Sequence, residues 1–274
     1  MTGRASCTLA LVARSADTTN SNGVFTFVAS AGGSRNSFDV SSTRITSRDW
    51  ETYPILTFAE VPVAELLSPA TAAKLATLID MGKAGDVRTT MGQSDTIYLT
   101  VVDRQRLAVS FINSVYDGFG VGIVTPRTGI ALQNRGACFV TDQGHPNCIG
   151  PGKRPLHTII PAMARRHGLV DMSFGVMGGD YQPMGHMTVA VNRYIYAMDP
   201  QEALDWPRYF PSGETVQIED GVPQSVRRDL AARGHRLVTR HEPLGGGQAI
   251  AIDRRLAMLA GGSDPRKDGL ALGF

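Results

Sequence analysis

Two stretches of the chain carry residue types suited to acyl chemistry. The first is "GQSDTIYLTVVD", Gly92 to Asp103, where small polar residues run into an alternating strand with Thr96 at the joint. An alcohol is a poor nucleophile unless a base stands beside it. If the Thr96 hydroxyl attacked the carbonyl before it and the Asp95–Thr96 bond were cut, the freed α-amine would be that base. Such an amine has a pKa of roughly 7.7–8.0, so a useful fraction is neutral at physiological pH. On residue type alone, a threonine that merely opens a strand is the ordinary reading. The second stretch is "FGVMGGD", Phe174 to Asp180. Gly178 and Gly179, set between a strand and a helix, would present consecutive N–H groups at a positive helix end, where an oxyanion can be held. A tight turn that needs positive φ explains the same pair equally well.

Other combinations point less clearly to chemistry. Gly118-Phe119-Gly120-Val121-Gly122 looks like a nucleotide loop, but Pro126 and Gly129 deny it a following helix. Cys138, His145 and Cys148 supply three zinc-type ligands with irregular spacing and no evident fourth. Gly245-Gly246-Gly247 reads as a mobile loop rather than a phosphate cradle, and the six histidines form no HExxH pair. No metal and no cofactor is expected.

The elements that must position these residues fall into three parts. Residues 1–60 are unassigned: between Ser15 and Asp49 the text is rich in Ser, Thr, Asn, Gly and Arg, no helical or strand period persists, and a loosely ordered segment is expected. Residues 61–95 hold a helix that Ser68 caps and Pro69 begins, with Leu75, Leu78 and Ile79 as its apolar face, followed by a polar, Gly-rich linker. From 96 onward come short strands. Ile97, Leu99 and Val101 alternate with Tyr98, Thr100 and Val102, and a turn at Arg104-Gln105-Arg106 makes a hairpin with Leu107–Val115. A second hairpin turns at Arg165-Arg166-His167-Gly168. Met187, Ala190, Val191 and Tyr194 mark a helix face, Asp199, Pro200 and Glu202 a capping box, and Pro223 to Arg233 a helix stopped by Gly234. "QAIAI" and "LAMLA" close the chain as strands. The pattern predicts layered α+β with mainly antiparallel sheets.

Bulk properties exclude more than they assign. Twenty-seven Lys and Arg against 25 Asp and Glu leave a net charge of +2, with no basic arm for nucleic acid. No apolar run approaches the ~20 residues that span a bilayer. Cys7, Cys138 and Cys148 make no disulfide framework, so the cytoplasm is the default compartment. The short apolar run after Arg4, Cys7 to Ala13, leaves export to a periplasm as the alternative.

The runs "DTIYLTVVD", "AVSFINSVYDGFGVGIVTPRTGIALQNRG", "GPGKRPLHTIIPAM", "FGVMGGDYQPMGH", "DPQEALDWPRY" and "GGSDPRKDG" together resemble the small subunit of the γ-glutamyltranspeptidase family, in order and spacing, from Val61 to Phe274. The pattern is nearest to the branch that includes oxamate amidohydrolase. The resemblance implies an N-terminal-nucleophile hydrolase, an αββα sandwich that is incomplete here because most of the large subunit is absent, with 96–274 as the catalytic region. It implies a precursor that cuts itself between Asp95 and Thr96, Thr96 as nucleophile and base, Gly178 and Gly179 as oxyanion hole, and Ser114 as the hydroxyl that supports the nucleophile. Around the substrate the chain departs from the family pattern. Tyr116 and Cys138 stand where an Asn and an Asp flank an α-amino group, His157 and Thr158 where paired serines receive a carboxylate, Arg135 where there is a glutamine, and Ile97-Tyr98 where Thr-His follows the nucleophile. Arg135 could clasp a substrate carboxylate through two parallel N–H bonds, or form a structural salt bridge. A small carboxylate-bearing amide is therefore the expected substrate, with γ-glutamyl compounds as the alternative and an inactive truncated fragment as a third reading. A large-subunit-like region or separate chain is the expected partner.

Overall fold

The computed structural model describes residues 7–11, 26–31, 38–42, 68–77, 79–85, 95–145, 147–155 and 159–274. In chain order the strands are β1 (Cys7–Leu11), β2 (Thr26–Ala31), β3 (Phe38–Ser42), β4 (Asp95–Val102), β5 (Ala108–Tyr116), β6 (Ala162–Arg166), β7 (Leu169–Met177), β8 (Tyr209–Ser212), β9 (Thr215–Glu219), β10 (Leu237–Arg240), β11 (Gly246–Asp253) and β12 (Met258–Ser263). The helices are α1 (Pro69–Ala76), α2 (Gln182–Tyr194), α3 (Pro200–Asp205) and α4 (Gln224–Ala232).

The alternation within β7 explains the layering. Met172, Phe174 and Val176 point to one face and join a core with Met187 and Ala190 of α2 and Ala203 and Leu204 of α3. Ser173, Gly175 and Met177 point to the other face, where the smallness of Ser173 and Gly175 lets a second layer approach. That second layer is the β4–β5 hairpin, which packs on β7 and β11. The main sheet is antiparallel throughout, in the order β1-β2-β3-β6-β7-β11-β12. A smaller sheet, β10-β9-β8, has β9 and β10 parallel, with α4 as the crossover between them.

Local signals account for most helix ends. The Thr71 N–H donates to Ser68 Oγ at 3.1 Å and starts α1. The capping box of α3 is closed both ways, Glu202 N to Asp199 Oδ1 at 2.8 Å and Asp199 N to Glu202 Oε2 at 2.9 Å. Both sequence-read hairpins form, with His167 and Gly168 at positive φ in the second turn.

Three expectations are corrected, and one sheet was not anticipated. Between Ser15 and Asp49, where no strand period was read, β2 and β3 pair with each other and β3 pairs with β6, carried by backbone ladders. Ile79 lies beyond the end of α1 and is exposed, so it is not part of a buried helix face; the side chains of Leu75 and Leu78 are outside the described residues. Gly246 and Gly247 are not a mobile loop but the buried start of β11, paired with Met177 and Val176. The sheet of β8, β9 and β10 has no counterpart in the sequence reading. Its strands are four or five residues long and one contains Pro211, too little for a period to show.

Candidate active site

Thr96 and Ser114 are partners across the β4–β5 ladder, so their side chains are neighbours on one face of the hairpin. The register shifts between Asp95 and Thr96, a bulge placed at the bond the sequence singles out. On the same face of β4, Tyr98 lies over Gly175, and Thr100 Oγ lies 2.6 Å from Ser173 Oγ. Each two-residue step back along β4 is thus a two-residue step forward along β7. Continued by one further step, this pairing would set Thr96 level with Met177, where the Gly178–Gly179 turn begins.

That turn is forced into its shape. Gly178 has φ 126° and Gly179 φ 57°, and a short 3-10 turn, Gly179–Tyr181, leads into α2. N–H groups at such a helix entry have no intrahelical acceptor and carry the positive end of the dipole. A Cβ on Gly178 would sit 2.6 Å from Gly245 Cα. Gly245, at φ 65°, closes on the turn from β11; a side chain there would strike the Met177 carbonyl and come 2.8 Å from the Tyr181 ring. Leu244 and Gly247 are pinned in turn: Arg208 donates to the Leu244 carbonyl at 2.7 Å, and Gly247 N donates to Asp264 Oδ2 at 2.9 Å. Arg208 and Asp264 form a buried ion pair, and Arg266 bridges Asp264 to Glu219. Burial alone would raise the Glu219 pKa. The Arg266 fork and the N–H groups of Leu244 and Arg208 hold it below the ordinary carboxylate value instead.

Beyond Ser114 the strand ends at Tyr116, a non-glycine residue at φ 84°. The Ser114 hydroxyl accepts from Tyr116 N at 2.9 Å, and the Ser114 carbonyl accepts from Arg135 Nη1 at 3.0 Å. The buried Arg135 guanidinium lies over the Tyr116 ring, 5.8 Å from its centroid. The Tyr116 pKa is pushed up to about 12 by the hydrogen bond with the Cys138 thiol, then by burial and the charges of Cys138, Asp180 and Asp117. Ser114, Tyr116, Arg135 and Cys138 therefore form one cluster, with Asp180, next to Gly179, in electrostatic reach. His157 and Thr158 lie outside the described residues. Among the described residues no group of three His, Cys, Asp or Glu side chains is placed to hold a metal. His145 Nδ1 accepts from Asn147 N at 3.0 Å.

Sequence reasoning gave Tyr98 and Gly245 no positioning role and missed Ser173, Gly175 and His186. His186 is wholly buried under the turn: Nδ1 donates to the Gln182 carbonyl at 2.6 Å, and Nε2 accepts from Val176 N at 3.2 Å. A glycine inside a strand, such as Gly175, is the one signal in the text that could have flagged a close approach.

The comparisons with known proteins agree with this architecture. The family model described as Gamma-glutamyltranspeptidase matches residues 48–274. The chain is 36% identical over 224 residues to the oxamate amidohydrolase proenzyme of Klebsiella pneumoniae, covering 78% of this chain and 42% of that protein. It is 36% identical over 226 residues to the glutathione hydrolase-like YwrD proenzyme of Bacillus subtilis, covering 79% and 43%. Among solved structures it is similar to a cephalosporin acylase from Bacillus halodurans, at 41% identity and a TM-score of 0.70 over 78% of this chain and 40% of that one. The chain thus spans about two fifths of the length of the relatives it matches. The fold is that of the N-terminal-nucleophile hydrolases, represented here by the main sheet, one helix layer and the hairpin of the second sheet, and the chain belongs to the γ-glutamyltranspeptidase family.

Proposed function

We propose that the chain is the catalytic part of a self-processing amide hydrolase whose nucleophile is Thr96. The observation that carries the reading is the pairing of Thr96 with Ser114 on the hairpin face that stacks toward the Gly178–Gly179 turn. Processing would begin with attack of Thr96 Oγ on the Asp95 carbonyl. The resulting ester is hydrolysed, leaving Asp95 as a new C-terminus and Thr96 as a new N-terminus. In turnover the α-amine accepts the Oγ proton as the oxygen attacks the substrate carbonyl. The N–H groups of Gly178 and Gly179 stabilise the oxyanion, and the proton passes to the departing amine or ammonia. Water then cleaves the acyl ester by the same route and releases the acid. Metal and cofactor have no assigned place in these steps.

The substrate class follows from Arg135 and Tyr116. A buried guanidinium beside the nucleophile strand suits a small acyl group bearing a carboxylate, as in oxamate. Mass spectrometry of the purified protein, before and after incubation with oxamate, tests both levels. A product beginning at Thr96, absent in Thr96→Ala, together with ammonia release is expected. A correctly cleaved protein that releases no ammonia would remove oxamate. A second reading, a γ-glutamyl hydrolase or transferase, is favoured by the place of Asp180, which adjoins Gly179 and bears electrostatically on Tyr116, so that a carboxylate stands beside the turn on the side where a substrate ammonium would need one. Release of the anilide from a γ-glutamyl anilide, accelerated by a dipeptide acceptor, would favour that reading.

A further inference from the structure

We infer that Tyr98, seated over Gly175, sets the register of the nucleophile strand against the main sheet and so determines where Thr96 stands relative to the Gly178–Gly179 turn. This rests on the reading of Thr96 as nucleophile and adds a pair of positioning residues to it.

A two-stranded hairpin has little means of fixing its own place on another sheet, because apolar packing is non-directional. Here the apolar contribution is small: Tyr98, Ile112 and Met177 form the buried cluster, with Ile159 packed against it. What distinguishes one register from another is shape. Gly175 is a notch in β7, and a Cβ built on it would sit 2.7 Å from Tyr98 Cζ and closer still to two other ring carbons. The flanking positions on that face carry the side chains of Ser173 and Met177, so a slip of one repeat in either direction drives the ring into a side chain.

The hydroxyls of Ser110 and Thr100 cross to the main sheet in the same register, Thr100 Oγ1 donating to Ser173 Oγ at 2.6 Å. Tyr98 OH lies 2.7 Å from Ser110 Oγ, which donates to the Phe174 carbonyl at 3.4 Å. Burial raises the Tyr98 pKa, with Ser110, Ser173 and Thr100 opposing it, so the phenol stays a neutral partner in this set. A two-residue slip would part Ser110 from the Phe174 carbonyl and Thr100 from Ser173, and would carry Thr96 roughly 7 Å along β7. Oxyanion donors must lie within ~3 Å of the reacting oxygen, so the slipped register has no catalytic geometry. Tyr98 acts through β4 and needs no contact with substrate.

The test compares Gly175→Ala, Tyr98→Phe and the double variant Tyr98→Leu/Gly175→Ala. Gly175→Ala is expected to lower kcat and the rate of Asp95–Thr96 cleavage by about 100-fold with KM nearly unchanged, the mark of misplacement rather than lost binding. Tyr98→Phe keeps the ring in the notch and should retain kcat close to that of the unchanged protein. The double variant relieves the clash and should recover the thermal midpoint but not kcat. A second measurement, independent of activity, is amide hydrogen exchange: Gly175→Ala should speed exchange in β4 and β5 and leave β11 and β12 as they were. Unchanged hairpin exchange in Gly175→Ala, or a loss confined to KM, overturns the inference. If the unchanged protein neither cleaves nor hydrolyses, the enzymatic reading fails, and the exchange measurement still decides the register.

Discussion

At Arg135 one side chain serves two surfaces, and its replacement should separate them. Nη1 holds the Ser114 carbonyl on the strand that pairs with Thr96, while the guanidinium plane covers Tyr116. Lysine keeps the charge but not the planar fork. Arg135→Lys is expected to raise KM for a carboxylate-bearing amide by about 10- to 100-fold, the loss of one charge-assisted bond of roughly 1.5–3 kcal/mol. KM for a neutral amide of the same size should hardly change, and equal losses on both substrates would mean that Arg135 serves the strand alone. The Tyr116 phenol, with its pKa pushed up to about 12 by Cys138 first and burial second, remains neutral through any ordinary assay range. The pH–rate profile should therefore be governed by the α-amine. Rate is lost as pH falls through roughly 7.7–8.0, because the amine must be neutral to take the hydroxyl proton. Tyr116→Phe should leave that limb where it is; a limb displaced in Tyr116→Phe would assign it to the phenol.

Between elements, the joint that matters most for the Gly178–Gly179 turn is the one between β7 and α2, made by His186. Burial first of all pushes its pKa down to about 4 from 6.5. The folded protein therefore holds a neutral imidazole that the unfolded chain would protonate below 6.5. The stabilisation is complete above pH 6.5, declines as pH falls, and is lost by about pH 4, roughly 3 kcal/mol in all. Glu219, held below its ordinary value, acts with the same sign at lower pH. Thermal melts between pH 4 and 7 should show a falling midpoint in acid. A neutral replacement, His186→Gln, should flatten that slope while lowering stability at pH 7. His186 also shows why parts of the site were illegible. A buried histidine bonded to two backbone groups leaves no trace in spacing, and neither does Gly245, whose contacts come from Gly178 and Tyr181, more than sixty residues away in the chain. The legible parts were local: the α3 capping box, both hairpins and the Gly178–Gly179 turn rest on neighbours in sequence. The alternation of β4 was legible too, but not its direction. The face turned to the main sheet carries Tyr98 and Thr100, while Ile97, Leu99 and Val101 face outward, against the usual apolar-in rule.

That inversion has its consequence for the molecule as a whole. Ile97, Leu99, Val101, Val109 and Phe111 are 43–60% exposed, on one face of a hairpin that has no other strand beside it among the described residues. A contiguous apolar face of this kind, next to unpaired strand edges, is a surface for association. The chain spans about two fifths of its relatives, and a large-subunit-like polypeptide is the proposed cover. Without one, copies should cover one another. Sedimentation velocity at rising concentration is expected to show reversible or progressive self-association of the unchanged chain. In Val101→Lys/Phe111→Glu, opposite charges on the outward face should restore a monomer without altering helix content, since neither side chain belongs to the buried clusters. The same double variant should fail to bind a co-expressed large-subunit-like polypeptide that binds the unchanged chain, because both covers use the same face. An unchanged chain that stays monomeric at high concentration would mean that this apolar face needs no partner.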